Sequence, residues 1–394
     1  MHHSAKNSYL CSVFTIKKGF CFVLCMLLLT ACTQKKQETV MTPWGEITDT
    51  VPADADFDLD DIQRNGELIA LTLTGPDTYY DYHGRQLGAQ YLLCQRFADK
   101  LGVSLRMEVC RDTSEMLKRL GDGEADLICY PMRKGGTGWI VGADKENLQQ
   151  ELARWYKPSM LAEVKKEEDF LLSAKSVRRR VFSPMLNRAG GVISHYDSYL
   201  QHYARTIRWD WRLLAAQCYQ ESTFDPQARS WAGACGLMQI MPGTADHLGL
   251  ARSDIFDPEK NIAAAVRYIA ELERAFSDVR NSSERTKFVL AAYNGGSFHI
   301  RDAMALARKN GRSDVLWRDV EPFVLGLSRP EYYNDAVVKN GYMRGSETVD
   351  YVRRILERWD GYRGVRAPRS SKTTLSGVPQ KAKHERKKKY QITE

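Results

Sequence analysis

Residues 218–242 read CYQESTFDPQARSWAGACGLMQIMP, and one acid in this run, Glu221, decides how the rest of the chain is read. The run is apolar and rich in amides and small residues. Its nearest other acid is Asp225, and the next, Asp246, lies beyond it. Helix positions three, four and seven apart share a face, so Leu214, Cys218 and Glu221 fall on one stripe with Gln217 beside it. Glu221 thus extends a largely apolar face at a helix end. Desolvation there favours the protonated acid and raises its pKa, the state a general acid needs near neutral pH. Periodicity alone equally allows a surface glutamate that merely ends the helix.

Working outward, the chain from about Ser194 is helical throughout. Asp210 is placed to cap "WRLLAAQCYQE", and Asp257-Pro258 to open a long helix. Ser283 is expected to cap "ERTKFVLAAY", which stops at Asn294-Gly295-Gly296. Ser297 is expected to cap the next helix, and Ser346 with Glu347 to open the last, which ends near Tyr362. Upstream the pattern changes. "ELIALTLTG", "SLRMEVC" and "ADLICYP" read as strands. "LGAQYLLCQRFADKLG" and "TSEMLKRLGDG" between them read as helices, the second with Thr113 as its cap. This β-α-β-α-β order predicts a small parallel α/β lobe. The fold class is therefore α+β and multidomain, an α/β lobe followed by an all-α domain.

Three blocks lie in order in the helical part: "ESTFDPQARSWAGACGLMQIMPGTA", "AAYNGG" and "GYMRGSETVDYV". Small residues let a polymer approach the backbone closely, and an amide can orient a sugar hydroxyl or acetamido group. Read singly, Met238 would be core, Gln239 a loop amide, Tyr293 a packed aromatic and Asn294 a C-cap. Together the blocks resemble the catalytic domain of soluble-type lytic murein transglycosylases, which has a lysozyme-like fold. The resemblance implies that Glu221 is the single acid/base residue. It implies that Ser222, Met238, Gln239, Tyr293, Asn294 and Tyr351 line the substrate groove. The last block often reads Glu-Thr-Arg in that family, and here Val349 replaces the arginine.

Hydrolytic glycosidases usually need two carboxylates. In the family Glu221 resembles, one suffices. It protonates the bridge oxygen between N-acetylmuramic acid and N-acetylglucosamine, then accepts the proton of the muramic acid C6 hydroxyl as that attacks C1, leaving a 1,6-anhydro sugar. Two other readings use the same residues: a goose-type lysozyme-like hydrolase, and a non-catalytic sensor that binds glycan strands. No cofactor and no metal is implied.

The α/β lobe, through "GRQLGAQYLLCQRFADKLGV" and "LGDGEADLICYP", resembles periplasmic solute-binding domains of the amino-acid-binding type. "GWIVGADKENLQQELARWY" resembles that family's closing strand and helix. The second lobe, normally about a hundred residues between these pieces, is absent, so capture of an amino acid by a closing clamp is not expected. This pairing of domains resembles the membrane-bound lytic murein transglycosylase F group. The boundaries read from the sequence are a signal peptide over 1–31, a tether over 32–62, the shortened lobe over 63–185, the catalytic domain over 190–364 and a basic tail over 365–394.

The N-terminus carries Lys17 and Lys18 before "GFCFVLCMLLLTAC". This apolar run is short for a membrane span and suits a signal-peptide core. "LTAC" resembles the lipobox of bacterial lipoproteins, which implies cleavage before Cys32 and lipid on Cys32. The alternative is an uncleaved anchor. Either way the protein is expected in the cell envelope, tethered to a membrane; the resemblance points to the outer membrane, facing the periplasm. Peptidoglycan strands are the implied partner. Cys94, Cys110, Cys129, Cys218 and Cys235 then remain, odd in number and without CxxC or zinc-ligand spacing, which suits buried thiols. A Cys218–Cys235 disulfide is the lesser alternative. The net charge is +8, of which the tail from Arg366 holds +7. The basic signal is thus a property of the tail and argues against a nucleic-acid groove.

Overall fold

The computed structural model describes residues 57–364 and, separately, a short antiparallel pair of strands at Met41–Thr42 and Gly45–Glu46. The run read as a signal-peptide core, Cys32 and the tail after residue 364 lie outside the described residues. No helix among the described residues is long and apolar enough to cross a membrane.

The α/β part begins with α1 (Leu59–Asn65), which starts within the stretch read as tether and runs past its end at residue 62. Asp58 forms a capping box with Asp61 at its start. The same carboxylate accepts the backbone N–H groups of Asn147 and Leu148 at 2.8 and 3.0 Å, which open a distant helix. One side chain therefore satisfies the orphan donors of two helices. Then follow β1 (Glu67–Thr72), β2 (Tyr80–Tyr82), β3 (Arg85–Leu87), α2 (Ala89–Leu101), β4 (Ser104–Val109), α3 (Thr113–Gly121), β5 (Leu127–Ile128), β6 (Ile140–Val141), α4 (Glu146–Trp155) and α5 (Pro158–Leu171). The main sheet runs β4-β1-β5-β6, with β1 parallel to β4 and β5, and β6 antiparallel to β5. Leu68 and Ala70 of β1 pack with Phe97, Leu148 and Val164, while Leu71 packs with Met116 on the other face. A sheet covered on both faces explains the near-continuous apolar strands. The cap of α3 is Asp112, not Thr113: its carboxylate accepts the Glu115 N–H at 2.9 Å.

After β5 the chain turns through residues 132–138 straight into β6, where the resembled family inserts its second lobe. The lobe packs instead on the helical part. Tyr342 stands edge-on to Tyr80 and Tyr333, with centroids 4.9 and 5.7 Å apart, and its N–H donates to Thr74 Oγ1 at 3.1 Å.

The helical part holds α6 (Asp197–Thr206), α7 (Trp211–Ser222), α8 (Pro242–His247), α9 (Pro258–Ala275), α10 (Ser282–Gly295), α11 (Ser297–Lys309), α12 (Trp317–Gly326), α13 (Pro330–Tyr333) and α14 (Gly345–Tyr362). They share one core. The centres of α7 and α10 are buried all round, over Leu213–Cys218 and Phe288–Ala292. Such helices are held by their neighbours rather than by an amphipathic stripe. Asp210 and Asp257 cap α7 and α9. Three other caps differ from expectation. Asn281 caps α10 in place of Ser283, because its amide oxygen reaches the Glu284 N–H. Ser297 and Ser346 lie inside the first turns of α11 and α14, which have no side-chain cap.

Candidate active site

Helix α7 ends abruptly. Thr223 and Phe224 follow with φ of 53° and 61°, two side-chain-bearing residues in left-handed geometry. Such conformations cost on the order of 1 kcal/mol or more each and persist only where the surroundings impose them. Here residues 178–180, between the α/β part and the helical part, impose them. Arg178 and Arg229 exchange backbone hydrogen bonds, both at 2.9 Å. Thr223 Oγ1 donates to the Arg180 carbonyl at 2.7 Å, and Asp225 Oδ2 accepts the Arg180 N–H at 2.6 Å. Arg179 Nη1 donates to the Glu221 carbonyl at 3.1 Å. The end of α7 is thereby clamped with Glu221 in the wall of a cavity of about 1030 Å³.

Glu221 Oε1 accepts the Tyr351 hydroxyl at 2.5 Å, and that hydroxyl accepts Gln217 Nε2 at 3.2 Å. Burial pushes the Glu221 carboxyl up to about 7, against the Tyr351 hydrogen bond and the charges of His83 and Arg179. The side chain keeps some solvent contact through the cavity. With Oε1 occupied by Tyr351, the proton of the neutral acid is carried on Oε2.

Gln239, Tyr293, Asn294 and Tyr351 line the same cavity as Glu221. Gln239 sits at φ 48°, and its Nε2 donates to the Gly236 and Ala228 carbonyls at 2.9 and 3.2 Å. Both amide hydrogens are engaged, so only its oxygen is left to offer a ligand. Tyr293 donates to the Met238 carbonyl at 2.8 Å. Asn294 Oδ1 accepts Thr348 Oγ1 at 2.7 Å, tying α10 to α14. Gly295 permits this approach: a Cβ there would lie 2.6 Å from Thr348 Oγ1.

Ser222 and Met238 are not brought into the cavity wall. Both side chains are fully buried. Ser222 is one helical step round from Glu221, and its hydroxyl donates to the Cys218 carbonyl at 3.1 Å. Met238 packs in the core and contributes only backbone: its carbonyl to Tyr293 and its N–H to Asn261 Oδ1 at 2.8 Å. Val349 is likewise core. Cys94, Cys110, Cys129, Cys218 and Cys235 are free, buried thiols. Among the described residues no three His, Cys, Asp or Glu side chains are grouped to hold a metal ion.

Sequence reading missed two parts of the site. Asn261 is fully buried, and its Nδ2 donates to the Cys235 and Ile255 carbonyls at 3.1 and 2.8 Å while its Oδ1 holds Met238. It buttresses the whole small-residue loop, and a Cβ on Gly236 would lie 2.5 Å from its Nδ2. Its signal was an amide on the apolar face of α9. The second part is Glu347, on α14 one turn before Tyr351. Its Oε1 accepts Tyr82 Oη at 2.9 Å and lies 3.4 Å from His83 Nε2; Oε2 is 3.8 Å from Arg344. Burial alone would raise its pKa, but hydrogen bonds from His83 and Tyr82 with the Arg344 charge outweigh it and hold the carboxyl below the ordinary glutamate range. Two carboxyls on one cavity are therefore driven apart, Glu221 toward neutral and Glu347 toward charged.

The family profile described as "Transglycosylase SLT domain" matches residues 198–316, a span holding Glu221, Gln239, Tyr293 and Asn294 but not Tyr351. A membrane-bound lytic murein transglycosylase F of Desulfosudis oleivorans is 42% identical over 152 residues, covering 39% of this chain and 33% of that relative's own length. One of Enterobacter sp. (strain 638) is 28% identical, covering 75% of this chain and 78% of the relative. Among solved structures, the 70 kDa soluble lytic transglycosylase of Escherichia coli is similar at 27% identity and TM-score 0.31, over 42% of this chain and 24% of that one. Residues 198–316, with Glu221 among them, are thus similar to the transglycosylase SLT domain.

Proposed function

We propose that this protein is a peptidoglycan lytic transglycosylase that cleaves the β-1,4 bond from N-acetylmuramic acid to N-acetylglucosamine with formation of the 1,6-anhydro sugar. The observation that carries this is Glu221: a carboxyl raised to about 7, hydrogen-bonded on one oxygen by Tyr351. Near neutral pH a large share of it is protonated and able to donate, and its conjugate base is strong enough to take a proton back. Oε2 gives its proton to the bridge oxygen as the glycosidic bond breaks. The carboxylate so formed accepts the C6 hydroxyl proton as that oxygen closes on C1. Tyr351 steadies the charge that develops between the two steps, and Gln239 and Asn294 orient the sugars.

The rival hydrolase needs a second carboxylate to activate water. Glu347 lines the cavity, but Tyr82 and His83 engage its Oε1, and the Arg344 charge lies 3.8 Å from its Oε2. It is an anchor point rather than a free base, which favours the one-carboxylate reaction. A sensor would not require the raised acid at all. We further propose the domain boundaries read above, with lipidation at Cys32 and an envelope location. The test is digestion of purified peptidoglycan by the full chain with mass analysis of products. Anhydro-muropeptides, lighter by one water than hydrolysed ones, are the expected result; reducing-end products would move the assignment to the hydrolase.

A further inference from the structure

We propose that the surface built by residues 178–188 and the facing side of α14 docks on an anionic lipid bilayer, as a second membrane contact apart from the N-terminal anchor. This contact is independent of the catalytic reading above. Between Asp169 and Asp197 the chain holds no acid but five cations, Lys175, Arg178, Arg179, Arg180 and Arg188. Apolar residues stand among them and are turned outward: Val181, Phe182 and Leu186 are 76%, 36% and 40% exposed. Of the three consecutive arginines, Arg179 reaches inward to the Glu221 carbonyl. Arg178 and Arg180 hold the clamp through their backbone and keep exposed side chains.

The segment is held in place. The Tyr219 and Tyr362 hydroxyls donate to the Phe182 and Pro184 carbonyls, and Leu186 and Asn187 pair through backbone with Ile193 and Val192. These bonds engage its backbone toward the protein while its apolar side chains face solvent, which marks a contact surface. Opposite it, α14 brings Arg354 and Arg358 to a hollow of about 500 Å³ that Pro184, Met185, Arg188 and Glu357 also line. Glu357 accepts Arg353 Nη1 at 2.9 Å. The Arg358 guanidinium lies 4.3 Å over the Tyr219 ring, with its Nε unpartnered among the described residues. The hollow is therefore cationic, with room for a phosphate head group. Apolar side chains set among arginines fit the boundary of an anionic bilayer, where acyl chains and phosphates lie side by side. A soluble acidic polymer would match the arginines and leave Val181 and Phe182 in water. On the anchoring proposed above, residues 33–56 lie between the lipid and the described part and span at most about 80 Å, so the surface stays within reach of that membrane. Arg354 also borders the Glu221 cavity, so docking sets the cavity beside the bilayer.

The experiment reconstitutes the full chain with vesicles of about one third phosphatidylglycerol in phosphatidylethanolamine that carry a photoreactive acyl chain, and with phosphatidylcholine vesicles carrying the same probe. Crosslinks are mapped by mass spectrometry, and those of the N-terminal anchor fall before residue 57 and are counted apart. Lipid crosslinks on residues 181–188 are expected in the anionic vesicles. They should fall by about fivefold or more in phosphatidylcholine, and likewise at about 1 M salt, where charges are screened within about 3 Å. Arg178→Gln, Arg180→Gln and Arg188→Gln together should lower them by about tenfold or more. At unchanged charge, Val181→Ser should lower them and Val181→Trp raise them by about threefold each. Yields are read per folded molecule, with thermal melting of each variant as the check. No crosslink on residues 181–188 in the anionic vesicles, or equal yields on neutral and anionic lipid, would overturn the proposal. Yields indifferent to both Val181 variants would overturn it too, since they would mark a plain charged surface suited to an acidic protein.

Discussion

Replacing Glu221 by Gln separates the chemistry of this residue from its effect on stability. The amide keeps the shape and can still accept the Tyr351 hydroxyl, but it cannot donate a proton to a bridge oxygen. Loss of general acid catalysis should lower the rate by about 10²–10⁴, and further because the same group takes the returning proton. Stability should move the other way, and only at high pH. Folding raises the carboxyl from 4.5 to about 7. Below 4.5 both folded and unfolded forms are protonated and nothing is lost. Between the two values the unfolded chain ionises while the folded one resists, so stability falls as pH rises and levels off above 7. The difference corresponds to about 3 kcal/mol at full burial, and to about 2 kcal/mol once the residual solvent contact is allowed for. The glutamine never ionises. Glu221→Gln should therefore melt within a degree of the parent at pH 4.5 and several degrees above it at pH 8.5, at roughly 2 °C per kcal/mol for a chain of this size. Thermal unfolding at both pH values checks this. An equal difference at the two, or a less stable variant at pH 8.5, would refute the raised acid. Asp225→Asn is the control: Asp225 holds the turn and the Arg180 N–H, so its loss should cost stability by about 1–2 kcal/mol but the rate by less than tenfold.

Tyr351→Phe removes the hydrogen bond that favours the charged form of Glu221. The alkaline limb of the pH–rate profile should move upward while the maximum rate falls, and a limb that moves down would contradict the assigned donor. Asn261→Ala leaves the Met238 N–H and the Ile255 carbonyl without the amide that pairs them, while the Cys235 carbonyl keeps the Ile240 N–H, so it should destabilise by about 2–4 kcal/mol and weaken activity beyond what unfolding explains, read by denaturant titration beside the digestion assay. Cys32→Ala should release the protein from membrane fractions or stall its processing; unaltered fractionation would count against lipidation.

Much of the architecture was legible because it is written in local periodicity. The strands of the α/β part alternate with capped helices, and a sheet covered on both faces needs the apolar runs seen at Leu68–Leu71 and Leu127–Ile128. The Asp210 and Asp257 caps were legible for the same reason. Caps at Asp112 and Asn281 were missed by one or two residues, because Asp, Asn, Ser and Thr all satisfy the same donors and only the backbone decides which arrives in place. Leu214, Cys218 and Glu221 share a face by helical spacing alone, and the desolvation that raises Glu221 follows from what covers that face.

What no local pattern could reveal is which distant groups meet that acid. Tyr351 lies 130 residues from Glu221, and Tyr82 lies 265 from Glu347. Packing of the helices on one another brings the first pair within hydrogen-bonding distance, packing of the α/β part on the helices brings the second, and a second carboxylate, distant in sequence, reaches the cavity. The sequence by itself determined the elements, their order and the chemical type of the central residue, since these depend on neighbours three or four positions away. Tertiary structure alone decided that Ser222 and Met238 face the core, that Glu347 is pushed toward the charged form while Glu221 is pushed toward the neutral one, and that a hairpin from the first part borders the site. Those outcomes depend on burial and on charges set side by side by the fold, quantities that have no value until the chain has closed on itself.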